Sequence, residues 1–156
     1  MKGDKLVFPV EGTKKANNKE GEVKATTVSL LIYSLDATNS WKLSKGMSDG
    51  GCSDPSVVEW GEKDKKLIMM TACDGGRRRV YESGDMGESW TEALGTLSRV
   101  WGNKQDKGAK GVRSGFITAT IDGDDKRNVM LVTLPVYAKE DGKKKRAMER
   151  ASFIFG

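Results

Sequence analysis

Histidine does not occur in this chain, and cysteine occurs only as Cys52 and Cys73. Imidazole catalysis and histidine-ligated metal sites are thereby excluded, and two thiolates alone cannot close a tetrahedral zinc site; no metal and no cofactor is expected. The cysteines have another chemistry open to them. Ser53 to Trp60 and Lys66 to Cys73 read as consecutive strands joined by the charged turn Gly61 to Lys65, which brings Cys52 opposite Cys73. Opposed residues of an antiparallel pair have Cα atoms about 4.5 to 5.5 Å apart, a separation that a disulfide spans. Two readings stand: a bond, or two buried unpaired thiols of the kind common in cores.

A second pattern carries turn chemistry. In Ser83-Gly84-Asp85-Met86-Gly87-Glu88-Ser89-Trp90 the Asp85 carboxylate can accept N–H groups across the turn, Gly87 can adopt positive φ, and Trp90 can pack between sheets. The stretch from Tyr33 to Trp41 repeats this 49 residues earlier, with Asp36 and Trp41 in register but Thr38 in place of the glycine. The role of both copies is structural.

These groups must be held by strands. Leu6 to Val10, Val28 to Tyr33, Ser56 to Trp60, Leu67 to Thr71, Arg78 to Glu82, Phe116 to Ile121 and Val129 to Pro135 are rich in β-branched and aromatic residues and bounded by Gly, Asp, Asn and Ser. The chain is all-β, and no window shows sustained helical periodicity. A polar turn followed by an apolar strand recurs at Leu6, Leu67 and Val129, in steps of 61 and 62 residues. A lysine-rich loop, Gly12 to Thr26, is expected inside the first unit. Propeller blades of four strands take about 40 to 50 residues each, so 156 residues cover about two to three of them.

The net charge of +5 suits an acidic partner, but the lysines cluster at Lys14 and Lys15, Lys63 to Lys66 and Lys143 to Lys145, which read as solvated turns. No pattern of a nucleic-acid-binding module is present, and no nucleic-acid partner is expected. The first residues carry no apolar signal region, and no apolar run is long enough to span a membrane.

The repeated Ser-x-Asp-x-Gly-x-Ser-Trp turn is the Asp box of sialidases. Together with Gly51-Cys52-Ser53-Asp54-Pro55-Ser56-Val57-Val58-Glu59-Trp60, Arg77-Arg78-Arg79-Val80-Tyr81-Glu82-Ser83 and Gly95-Thr96-Leu97-Ser98-Arg99-Val100-Trp101-Gly102, it makes residues 4 to 142 resemble the trypanosomal trans-sialidase superfamily. The resemblance implies a partial sialidase-type β-propeller of antiparallel four-stranded sheets over 1–145, with a divergent tail over 146–156. It implies release or transfer of terminal sialic acid by a Tyr nucleophile, an activating Glu and an Asp acid/base, with three arginines on the sugar carboxylate.

Residue by residue, the match is imperfect. Asp54 stands where active members have the Glu, which draws the carboxylate back by about 1.5 Å; misplacement of that order costs about a hundredfold in rate. Glu59, an odd number of positions further on, points to the opposite face unless a bulge intervenes. Cys73 falls where the second arginine belongs. Glu11 replaces a Gln near the substrate and would repel a sugar carboxylate. Arg146 is the one candidate for the third arginine. The first arginine, the acid/base and the nucleophile are expected outside this chain, and Tyr33, Tyr81 and Tyr137 read as strand aromatics. The resemblance thus points to a surface or secreted protein without sialidase activity, used in host-cell adhesion or antigenic variation, with sialylated glycans or host-cell surface proteins as partners. An active exo-α-sialidase or trans-sialidase and a basic module for polyanions are the alternatives.

Overall fold

In the computed structural model the described residues are 5–17, 21–36, 40–61, 65–74, 77–93, 115–122, 126–136, 139–140, 143–144 and 148–155. They hold strands and turns and no helix. The first sheet is β1 (Leu6–Asn17), β2 (Val23–Ser34) and β3 (Lys42–Leu43), paired in that order. The second has four strands, β4 (Cys52–Trp60), β5 (Lys66–Cys73), β6 (Arg77–Ser83) and β7 (Thr91–Glu92). The third places β9 (Arg127–Val136) between β8 (Phe116–Ile121) and β12 (Met148–Phe155), and a two-stranded piece joins β10 (Lys139–Glu140) to β11 (Lys143–Lys144). Neighbouring strands are antiparallel in every sheet.

Alternation along the strands of the second sheet gives it two apolar faces. On one, Leu67, Met69 and Tyr81, with Val57, Met86 and Trp90 against them, meet Leu31 and Val7 of the first sheet. On the other, Ile68, Met70, Val80 and Ala93, with Val58 and Trp60, meet Phe116, Met130 and Val132 of the third. The second sheet is therefore buried on both sides, which accounts for the nearly unbroken apolar run from Leu67 to Ala72 in β5. The two Asp-box hairpins, β2–β3 and β6–β7, put β2 in the place of β6 and β1 in the place of β5. Leu6, Leu67 and Val129 then open equivalent strands, and their near-equal spacing is the blade repeat.

Asp85 organises its hairpin. Its Oδ1 accepts the Ser83 hydroxyl at 2.8 Å and the Ser89 N–H at 2.9 Å, and its Oδ2 accepts the Ser89 hydroxyl at 2.6 Å. Gly87, at φ 86°, donates its N–H to Ser83 Oγ. In the first box the Ser34 hydroxyl donates to Asp36 in the same way. The two tryptophans differ. Trp90 joins the core between the first two sheets, whereas Trp41 takes the matching place on the first sheet, on a face that no described sheet covers. It is 44% exposed and tilts against Phe8, ring centroids 5.5 Å apart. Phe8 lies one position out of phase with Val7, on the face turned away from the second sheet.

The expected lysine-rich loop is also corrected. Thr13 to Asn17 pair residue by residue with Val23 to Thr27, extending β1 and β2 as a ribbon. Thr, Val and alternating exposed side chains suit a two-sided solvated strand as well as they suit a loop, and charge alone does not separate the two.

Hydrogen bonds from Ser89 and Ser83 hold the Asp85 carboxyl down at about 2. A depressed folded pKa means that its stabilising effect is complete above the unfolded value near 3.8 and disappears as pH falls toward 2. Asp85→Asn is expected to cost about 1 kcal/mol in denaturant unfolding at pH 7, a figure discounted because the carboxylate is exposed. The difference from wild type should shrink below about pH 4. A pH-independent difference would contradict this account.

Candidate functional site

The start of β4 is where the chain is most constrained. Gly51 sits at φ 81°, and a Cβ there would fall 2.2 Å from Asp74 Oδ2, so the position admits only glycine. Its N–H donates to Thr27 O and its carbonyl accepts the Asp74 N–H, tying the approach to β4 to both β2 and the end of β5. Cys52 and Cys73 then form the first register pair, Cα atoms 4.0 Å apart, and their sulfurs are bonded. The cross-link is buried.

The register slips directly after it. Ser53 faces Ala72 and Ser56 faces Met70, leaving Asp54 and Pro55 opposite Thr71 alone. Pro55 has no N–H to give to the ladder, and Asp54 adopts φ 51°, a left-handed conformation that Asp tolerates better than most residues. The bulge's loose carbonyl, Ser53 O, accepts the Thr71 hydroxyl at 2.7 Å. The Thr71 oxygen in turn accepts the Ser29 hydroxyl at 2.6 Å, both groups being buried.

Three charged groups meet at this bulge. The Asp54 N–H donates to Glu11 Oε1 at 2.6 Å. Asp54 Oδ2 is buried, has no hydrogen-bond partner, and lies 3.9 Å from Arg78 Nη2. Arg78 comes from β6 opposite Ala72, whose single methyl leaves room for the guanidinium, and is 5% exposed. Burial pushes the Arg78 pKa down, and the Asp54 charge opposes that. The site therefore has two carboxylates and one buried cation. Nearby, Asp49 takes both Arg79 and the Tyr81 hydroxyl, which fixes the chain leading to β4.

Of the residues singled out from sequence, the structure gathers Glu11, Asp54, Cys52 and Cys73 within this one region. Arg146 lies outside the described residues. Glu59 is far along β4, on the face it shares with Val57, and its carboxylate takes Lys65 Nζ at 3.1 Å. The bulge does not bring it to Asp54. Asp36 and Asp85 sit at the hairpins of the opposite strand ends. Tyr33 and Tyr81 are buried strand aromatics; the Tyr33 hydroxyl donates to Glu88, which raises its pKa. Within the arginine run Arg77 to Arg79, which reads from sequence as paired charges and blade packing, Arg78 meets Asp54. Its signal is the small Ala72 across the ladder, legible only once the register is known. Among the described residues no cluster of three or more acidic, Cys or His groups is placed to hold a metal ion, and no helix is long and apolar enough to cross a membrane.

Residues 1–149 match the family of BNR repeat-like domains. A sialidase of Trypanosoma cruzi is 43% identical over 134 residues, 86% of this chain and 10% of that protein. The chain belongs to the trypanosomal sialidase and trans-sialidase superfamily. Sialidase 85-1.1 of the same organism is 42% identical over 119 residues, 75% of the chain and 15% of that protein. The chain thus spans a tenth to a seventh of these curated relatives. Trypanosoma rangeli sialidase in complex with sialic acid superposes with a TM-score of 0.70 and 35% identity, over 97% of this chain and 22% of that one. The same enzyme as its covalent intermediate with 2,3-difluorosialic acid superposes with a TM-score of 0.65 and 39% identity, over 84% and 18%. The three sheets are accordingly consecutive pieces of a sialidase-type propeller.

The cross-link closes a loop between residues 21 apart, for which chain entropy gives about 3 kcal/mol. A non-reduced, denatured sample should show no reactive thiol and a reduced one should show two. Substitution of both cysteines by Ser should lower the denaturant midpoint by the equivalent of about 2 to 4 kcal/mol. Full labelling without reductant would contradict the bonded pair.

Proposed function

We propose that this chain belongs to a glycan-facing cell-surface or secreted protein of the superfamily that neither hydrolyses nor transfers sialic acid, and that works in adhesion or antigenic variation. The supporting observation is the pairing at the bulge. Asp54, at the position of the activating Glu, is turned against Arg78, with the Glu11 carboxylate accepting its N–H. A carboxylate so placed has one oxygen buried against a cation of the protein. It is both shorter than Glu and committed to an internal partner, so it is poorly placed to draw a proton from a reacting hydroxyl. Glu11 adds a second negative charge; at about 4 Å and an effective dielectric of about 20, one like charge opposes a sugar carboxylate by about 4 kcal/mol. At Cys73 the cross-link offers no donor in place of a guanidinium. A buried disulfide also suits an oxidising compartment.

A protein carrying this segment should turn over a fluorogenic sialoside at least about a hundredfold more slowly than Trypanosoma rangeli sialidase. Asp54→Glu alone should not restore turnover, because Glu11 and the cross-link remain. Turnover within about tenfold of that enzyme, equivalent to about 1.4 kcal/mol of barrier, would overturn the proposal.

A further inference from the structure

The β1–β2 ribbon buries almost nothing. Beyond Gly12 and Val28 the two strands pair only with each other, since β3 reaches β2 only at Ile32 and Tyr33. Thr13 to Ala16, Val23 to Ala25 and Thr27 are exposed on both faces. An isolated two-stranded hairpin is marginal in water. This one is anchored at its base, where Gly51 donates its N–H to Thr27 O and a Cβ on Gly50 would fall 2.6 Å from Thr26 Cγ2. The ribbon therefore stands out at the same end of the sheets as Glu11 and Asp54.

Its lysines stand close together. Lys45, Lys65, Lys66, Arg78 and Arg79 each face a carboxylate within 4 Å. Among the described residues Lys14, Lys15 and Lys24 enter no ion pair; Lys5, Lys42 and Lys126 enter none either, but they stand apart in the sequence, whereas the ribbon gathers three such lysines on two paired strands. Lys14 is opposite Thr26 and Lys24 is opposite Ala16, which puts the two lysines on one face as diagonal neighbours about 7 to 8 Å apart. Lys15 is on the other face, and the twist of a two-stranded ribbon lets one crossing chain meet all three. Glu22 directly precedes β2, and the sequence from Thr13 to Thr27 has no arginine, no aromatic residue and no large aliphatic one except Val23.

We propose that this ribbon is a docking surface for an anionic polysaccharide, sulfated or carboxylated, and so supplies the adhesive contact of the glycan-facing reading on which the inference rests. Three mobile ammonium groups match charges repeated along a flexible sugar chain. Base stacking needs aromatic or guanidinium planes, and insertion into a lipid surface needs large apolar side chains, and the ribbon offers neither.

The test measures binding of the 156-residue chain to heparin, polysialic acid, neutral dextran, polyuridylate and phosphatidylserine vesicles over a range of NaCl. Heparin or polysialic acid should bind and dextran should not; which of the two binds tighter separates sulfate from carboxylate recognition. The triple variant Lys14→Gln, Lys15→Gln, Lys24→Gln should bind at least about tenfold more weakly, with the slope of log K against log salt less steep by about 2 to 3. The matching Lys→Arg triple should retain binding, which shows that charge and not folding is at issue. The inference is overturned if the Gln triple binds like wild type, if neither polysaccharide binds at low salt, if substituting Lys139, Lys143 and Lys144 causes the loss instead, or if RNA or vesicles bind more tightly than both polysaccharides. Sialoside turnover, read separately, reports on the Asp54 site alone.

Discussion

One extra residue in β4 governs the second sheet. Without the slip at Asp54 and Pro55, Cys52 would share a face with Ser56 and Val58; with it, Cys52 shares a face with Val57 and Glu59. The slip puts Val57 against the first sheet and Val58 with Trp60 against the third, so the packing of three sheets depends on a single irregularity. Three constraints keep it in place: the cross-link before it, the Thr71 hydroxyl on its loose carbonyl, and the Glu11 carboxylate on its N–H. A bulge held from three sides has little freedom to re-aim Asp54.

The same irregularity determines the electrostatics. A bulge next to a ladder position occupied by alanine makes room for Arg78, and Asp54 is the carboxylate that bulge presents. Removing either partner would leave a charge in a poorly hydrated place, whereas the pair together is tolerable. The Asp54 charge thus faces a cation of the protein, while its buried Oδ2 accepts no hydrogen bond. Three lysines that face no carboxylate gather on a ribbon that contributes little to the core, so the chain sets a rigid sheet end with two carboxylates and one buried cation beside a solvated basic extension.

How far the sequence discloses this depends on the range of the interaction. Strand existence is local: β-branched runs between Gly, Asp and Asn mark the main strands up to β9, although β12 falls in the stretch read as a divergent tail, and the Asp85 turn declares itself because Ser83, Asp85, Gly87 and Ser89 satisfy one another within seven residues. The opposition of Cys52 and Cys73 is legible because a short charged turn sets the β4–β5 register. The bulge is not, since Pro55 signals an interruption without saying where the ladder resumes. Arg78 is hidden for the same reason: only the alternation relative to Ala72 shows that it is buried. The Asp-box motif places Trp41 and Trp90 on matching faces, and among the described residues Trp90 alone of the two has a neighbouring sheet to pack against. The ribbon fails by composition, because lysine and threonine are equally at home in a loop and in a strand wetted on both faces.

The central claim is that the Asp54 carboxylate is engaged with Arg78 inside the protein and that Glu11 keeps a sugar acid away from it. Its most direct test is an NMR titration with α2,3-sialyllactose, following the backbone amides of Glu11, Asp54 and Arg78. The account expects no saturable shift of these resonances up to about 10 mM, a ligand concentration that would detect any binding stronger than about −3 kcal/mol. Saturable shifts at all three amides, abolished by Arg78→Gln, would show that the guanidinium serves a bound sugar carboxylate and would contradict it.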